Sequence, residues 1–144
     1  MFRVEQVKEV KTEIVQGIQH LFPQLTQFSP IPDEEAIQKM VNSQASSLWI
    51  ARNESGQIIG ILCLALYRTT TGVHAWIEDV VVDQKARRQG VAFQLTRAAV
   101  EFAQINEAKA VNLTSRPERE GANLLYQKLG FELVNTNLYR INLI

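Results

Sequence analysis

A Val-rich stretch, Val80-Val81-Val82, runs into Asp83-Gln84-Lys85-Ala86 and then Arg87-Arg88-Gln89-Gly90-Val91-Ala92, where a long helical pattern begins. That order of residue types suits an anion. The first amides of a helix have no intrahelical acceptor and bind phosphate. Gly90 lets the backbone approach a phosphate closely, and Ala92 is small for the same reason. The guanidinium forks of Arg87 and Arg88 match phosphate oxygens; the alternative is that they, like Lys85, are solvated surface. The stretch is neither a Walker A loop, which needs Gly-Lys-Ser/Thr, nor a Gly-x-Gly-x-x-Gly dinucleotide turn. Just upstream, Glu78 and Asp79 interrupt an otherwise apolar run. A carboxylate in a buried strand is costly unless paired or wetted. The two are therefore either a structural pair or proton acceptors. Neighbouring strand residues face opposite sides. In a regular strand Glu78 shares its face with Val80 and Val82, which favours Glu78; a bulge reverses the choice.

The remaining reactive residue types point elsewhere. Cys63 sits within Ile61-Leu62-Cys63-Leu64-Ala65 and reads as a small buried hydrophobe. One cysteine allows no internal disulfide, and two histidines make no metal-ligand cluster, so no metal is expected. His20 ends a helix, where a cation is favoured. His74 reads as surface. Ser115 reads as a helix N-cap, since no histidine is placed to activate it.

The whole chain sets the frame for these groups. Its 144 residues make one domain, 1–144. At 46% hydrophobic and 21% charged, it has the composition of a globular protein rather than a disordered one. Fifteen basic residues balance fifteen acidic ones, which argues against nucleic acid as a partner. No apolar run reaches the ~18 residues of a membrane span, and the N-terminus has no apolar h-region, so a cytoplasmic protein with no membrane partner is expected. The charge is uneven: six basic and nine acidic residues up to Val80, then nine basic and six acidic. Such an imbalance is either a solvated face or the mark of an anionic ligand held by the C-terminal half.

Periodicity supplies the elements. A short strand is expected near Phe2–Val4, then a helix through Val7, Val10, Ile14, Ile18 and Leu21. Pro23, Pro30 and Pro32 mark a loop, and Asp33, Glu34 and Glu35 open a helix with Ile37, Met40 and Val41 on its apolar face. Strands follow at Leu48–Ala51, Ile58–Leu66 and His74–Val82, with a turn at Glu54–Gly56. The long helix carries the stripe Val91, Leu95, Ala98, Phe102 and Ile105. A strand at Ala110–Thr114 precedes Ser115-Arg116-Pro117-Glu118, which fits a capping box. The helix it opens ends at Gly130, and Phe131–Val134 with Leu138–Ile141 form a closing β-hairpin that offers a pairing edge and hence a homodimer. The fold class is α/β (α+β): a mixed sheet flanked by helices, with a parallel crossover from Val80 to Leu113.

Arg87-x-x-Gly90-x-Ala92 after a Val-rich strand resembles the acetyl-CoA signature of the GNAT N-acetyltransferase superfamily. The later block Ala122-Asn123-Leu124-Leu125-Tyr126-Gln127-Lys128-Leu129-Gly130-Phe131 resembles that family's helix with tyrosine followed by Gly-Phe. The two blocks lie in the family's order and separation, and the resemblance runs from about Trp49 to Arg140.

The resemblance implies a GNAT-like, mostly antiparallel sheet with a splayed parallel central strand pair. It implies acetyl-CoA as co-substrate and an amine-bearing small molecule or peptide as acceptor, with direct acetyl transfer in a ternary complex. Main-chain groups of Val80 and Val82, with Val81 between them, would pair with the pantetheine arm. The amides of Arg88, Gln89, Gly90, Val91 and Ala92 would hold the pyrophosphate, with Arg87 and Arg88 reaching phosphates, alongside Arg119 or Lys85. Tyr126 would serve the leaving thiol, Glu78 or Asp79 would take the amine proton, and the Val80 amide would meet the oxyanion. A phenol with a pKa of ~10 transfers its proton to a thiolate of ~8.5 uphill, so Tyr126 is expected mainly as a hydrogen-bond donor. Many members carry asparagine seven residues before the tyrosine; here that residue is Arg119, and Asn123 is the substitute candidate for the cofactor contact. The acceptor would enter near Leu21–Glu35 and the C-terminal hairpin. Asp33, Glu34 and Glu35 would either draw a cationic amine or serve only the helix end. The competing reading is a non-catalytic CoA-binding or protein-interaction module on the same fold.

Overall fold

Five strands lie side by side in sequence order: β1 (Phe2–Val7), β2 (Ser46–Asn53), β3 (Ile58–Thr69), β4 (Gly72–Val82) and β5 (Val111–Asn112). The first four are antiparallel neighbours, and β5 runs parallel to β4. Helices α1 (Thr12–Leu25) and α2 (Glu34–Asn42) connect β1 to β2, and α3 (Val91–Ile105) makes the crossover from β4 to β5. The computed structural model describes all residues 1–144, in two compact units: Met1–Thr114, which holds the sheet and these helices, and Ser115–Ile144, which holds α4 (Glu120–Lys128). No helix is long and apolar enough to cross a membrane.

Strand alternation sorts the core into two layers. Leu48 opposes Cys63, and Ile50 opposes Ile61, which in turn opposes Val81. This face packs with Val7 against Ile14, Val15, Ile18 and Leu21 of α1 and Ile37 of α2. The alternate residues of β2 and β3, Trp49 and Leu62, lie opposite one another on the other face. There Trp49 meets Phe102 of α3 edge-on, with ring centroids 5.3 Å apart. A Cβ on Gly60 would stand 2.9 Å from Val91 Cγ1, so only glycine lets the start of α3 sit this close to β3.

Several sequence expectations are corrected. Val7 belongs to β1, which is longer than Phe2–Val4. Helix α1 continues past Pro23 to Leu25. The buried stripe of α3 is Val91, Leu95, Ala99 and Ala103 with Thr96, whereas Ile105 is exposed. A four-residue step advances about 40° round a 3.6-residue helix, so the buried stripe winds about α3, and the small alanines let it lie close to the sheet. The fifth strand shrinks from Ala110–Thr114 to Val111–Asn112. The hairpin at Phe131–Val134 and Leu138–Ile141 is not formed: 131–144 contains no strand. Asn135-Thr136-Asn137 lacks the glycine that favours a tight hairpin turn, and a lone two-stranded hairpin is marginal in water.

Candidate active site

The strand β4 is irregular where the sequence placed its carboxylates. Pairing with β3 jumps from Cys63↔Glu78 to Ile61↔Val81, so Asp79 and Val80 together oppose Leu62. This is a β-bulge, and Asp79 takes φ +52°, a left-handed conformation that aspartate tolerates better than most residues. The face shared by Glu78, Val80 and Val82 in a regular strand is therefore not present. Glu78 shares its face with Cys63 and Val81, and Val82 opposes Gly60. The shared-face argument for Glu78 therefore lapses, and Asp79 is the carboxylate that lines a pocket on the α1–α2 side of the sheet.

The other edge of β4 is free where a ligand strand would lie. Its ladder with β5 consists of Ala75↔Val111 and Trp76↔Asn112. From Ile77 to Val82 no strand covers that edge, so the backbone groups there lack ladder partners. The edge leads into the loop before α3. A short 3-10 turn at Gln84–Ala86 is followed by Arg88 at φ +65° and Gly90 at φ +82°, the N-cap of α3. No side chain caps α3, and the first amide to find a helical acceptor is that of Gln94, on Gly90 O at 3.0 Å. The amides of Val91, Ala92 and Phe93 thus have no helical or side-chain acceptor, an arrangement able to receive an anion. Arg87, Arg88, Gln89 and Gly90 are exposed, Val91 is buried, and a Cβ on Gly90 would meet nothing within 4 Å. An unpaired strand edge ending in open space at a free helix N-terminus fits a pantetheine arm carrying a pyrophosphate.

Asp83 holds the loop's base, a role that sequence reading did not assign. Its side chain is buried and accepts from the Lys85 amide at 3.0 Å, and its own amide donates to Ile59 O at 2.8 Å. His20 Nε2 lies 3.6 Å from its carboxylate, and the Gln84 amide donates to Gln24 Oε1 at 3.0 Å, so α1 is tied to the loop. The available signal was the aspartate itself, a preferred cap, directly after an apolar strand. Asp33 proves to be the N-cap of α2, accepting from the Ala36 amide at 2.8 Å.

Burial sets the protonation of two groups here. It pushes the Cys63 thiol up to about 12, with Asp79 and Glu78 adding to the shift. At pH 8 about one thiol in ten thousand is then ionised. Alkylation of Cys63 by iodoacetamide is expected to be more than about 100-fold slower in the native than in the urea-unfolded protein, read by mass spectrometry. Burial, and then the charge of Asp79, hold the Glu78 carboxyl above its ordinary value. A raised folded-state value means that the folded protein keeps this proton more tightly than the unfolded chain. The contribution is therefore favourable at acid pH and lost as pH rises through the folded value. Glu78→Gln should raise the Tm at pH 7, and the gain should vanish below about pH 4; melting curves at the two pH values check both statements.

Tyr126 lies in the second unit, on the last turn of α4. The expected capping box is displaced: α4 starts at Glu120, with Arg119 rather than Ser115 at the N-cap. The Asn123 amide donates to Arg116 O at 3.0 Å and Arg119 O at 2.8 Å. Asn123 therefore spends its donors on tying the preceding turn to the helix. Gly130 at φ +98° ends α4 as expected. The Gly130 amide donates to Gln127 O and the Phe131 amide to Tyr126 O, both at 3.0 Å, a Schellman closure. Its accompanying side-chain contact is Tyr126 against Phe131, centroids 5.8 Å apart. Burial raises the Tyr126 phenol above its ordinary value, with Arg119 opposing. At neutral pH it is a proton donor.

A bulged strand, an edge without ladder partners and a glycine-started helix at the end of that edge make up the candidate site. The chain belongs to the acetyltransferase (GNAT) family, whose pattern matches residues 14–131. It is 28% identical to an uncharacterized N-acetyltransferase, YhfO, of Bacillus subtilis over 134 residues, 88% of this chain and 89% of that protein. It is 35% identical to the chloroplastic GCN5-related N-acetyltransferase 6 of Arabidopsis thaliana over 66 residues. That match covers 46% of this chain and 23% of the plant protein, so the chain spans about a quarter of that relative's length. Among solved structures, an aminoglycoside acetyltransferase from an uncultured soil metagenomic sample shares the fold. Its TM-score is 0.81 at 22% identity, over 98% of this chain and 97% of that one.

Proposed function

We propose that residues 1–144 act as one N-acetyltransferase domain that moves an acetyl group from acetyl-CoA to a primary amine by direct attack in a ternary complex. The observation that carries this reading is the uncovered β4 edge from Ile77 to Val82, which leads into the free N-terminus of α3. Acetyl-CoA supplies the acyl group as a thioester, whose carbon–sulfur bond breaks as the nitrogen–carbon bond forms. Val80 and Val82 hold the pantetheine arm through their main chain. The amides of Arg88–Ala92 bind the pyrophosphate, and Arg87 and Arg88 add charge. The Val80 amide donates to the acyl oxygen as charge builds on it. Neutralising an alkyl amine at pH 7 costs about 4–5 kcal/mol, and Asp79, acting through water, accepts the proton that the amine gives up. Tyr126 donates a hydrogen bond to the departing sulfur. Cys63 stays a neutral thiol and forms no acyl-enzyme. We place the protein in the cytoplasm, where a reduced Cys63 is at home. A homodimer belongs to the same reading, supported by the exposed Leu133, Tyr139, Ile141 and Leu143.

Calorimetric titration with acetyl-CoA, with NAD and ATP as controls, tests the cofactor. Heat with acetyl-CoA alone, followed by CoA release in the presence of an amine, supports the enzyme. Binding without release for any amine marks a non-catalytic CoA-binding module. No binding at about millimolar acetyl-CoA refutes the reading.

A further inference from the structure

The pocket beside the bulge has a chemical character that narrows the acceptor. It measures about 170 Å³ and lies between α1, α2 and the face of the sheet that carries Ile61. Phe22, Leu25, Met40, Leu48 and Ile61 line it, and Asp79 is its one charged residue. No basic side chain lies within ion-pair distance of Asp79. A cavity of about 150 Å³ with Leu, Ile and Phe walls takes up a benzene ring, so the space suits one ring or a branched alkyl group. A polycationic acceptor would strand its further ammonium groups on these walls unpaired, at high desolvation cost. One carboxylate at the edge of an apolar pocket matches one ammonium on an apolar arm.

We propose that the acceptor is a monoamine bearing a compact apolar group, a single ring or branched alkyl, which fills this pocket while Asp79 receives the amine. The proposal rests on the acetyltransferase reading above. Its ring lies against Phe22, Leu25 and Met40, and the nitrogen stands at the bulge. Each pocket-filling group is worth about tenfold in kcat/KM.

The test first titrates acetyl-CoA by calorimetry, then follows CoA release with a thiol reagent for phenethylamine, isoamylamine, ethanolamine and kanamycin. The expected order places phenethylamine and isoamylamine at least about tenfold above ethanolamine and kanamycin in kcat/KM. Ala36, exposed at the pocket's rim, supplies the second arm. Ala36→Phe narrows the mouth and should lower kcat/KM for phenethylamine about tenfold more than for ethanolamine. Acetyl-CoA binding with kanamycin or ethanolamine as the better acceptor, with no transfer to any of the four, or with equal losses in A36F, overturns the substrate class and leaves cofactor binding standing. Absence of acetyl-CoA binding overturns both.

Discussion

Gly90→Val raises the Kd for acetyl-CoA by about 100-fold or more while the melting temperature moves by only a few degrees. Two effects act at this position. Gly90 holds φ +82°, where an L-residue costs about 1–2 kcal/mol, so the valine variant either bears that strain or turns the first amides of α3 out of line. The new side chain also enters the open space at the helix N-terminus, where no protein atom lies within 4 Å of the added Cβ. That emptiness is why the fold should tolerate the change while the proposed pyrophosphate should not. Gly90→Ala separates the effects, since it carries the same backbone strain with little bulk. An intermediate loss, about tenfold, is expected. Calorimetry measures both variants, and thermal melting checks their folding. Equal Kd values for wild type and G90V would remove the helix N-terminus from the cofactor site.

Tyr126→Phe lowers kcat about 10–100-fold with the KM for acetyl-CoA little changed, the pattern of a contact made in the transition state. General acids contribute up to about 10⁴-fold when proton transfer is well matched. Here it is not matched, because burial raises the phenol further above a thiol's value. On the proposed mechanism Tyr126 would therefore donate a hydrogen bond to the sulfur rather than transfer its proton fully. The pH dependence carries the same sign. Burial disfavours the phenolate, so the donor survives as pH rises through the ordinary tyrosine value and is lost only above it. Wild-type kcat should show no falling limb up to about pH 9.5 from this group. Phenylalanine keeps the edge contact with Phe131, so circular dichroism and melting should show an intact fold.

The local chemistry of this site was legible because it lies in one continuous stretch. Val80 through Ala92 contains the strand end, the loop and the helix start, and each has a residue-type signature. Gly130 and Phe131 were equally readable, since a Schellman closure needs only residues of its own turn. What escaped depends on a partner strand or a competing cap. The bulge at Asp79 exists only in register with Leu62 of β3, and nothing in Glu78-Asp79-Val80 alone announces it. The same dependence hid the pocket, whose walls come from α1, α2, β2, β3 and β4. Ser115-Arg116-Pro117-Glu118 has the spacing of a capping box, yet the helix waits until Glu120 because the Asn123 side chain secures the turn over Arg116–Arg119. The closing hairpin failed for a related reason: alternation alone does not form a strand without a neighbour to accept its ladder.

The bulge in β4 also governs how this stretch can change. One supernumerary residue inverts the parity of everything after it, so Val81 lies with Ile61 on the α1 side where, by its place in the sequence, an unbroken strand would turn it to the α3 side. A substitution at Asp79 alters one side chain. A deletion there would remove the bulge, set Val80 alone opposite Leu62, and leave Val81 opposite Ile61, Val82 opposite Gly60 and the Asp83 amide on Ile59 O. The bulge thus serves to place Asp79 rather than to align Val81 and Val82, whose register the ladder with β3 would hold without it.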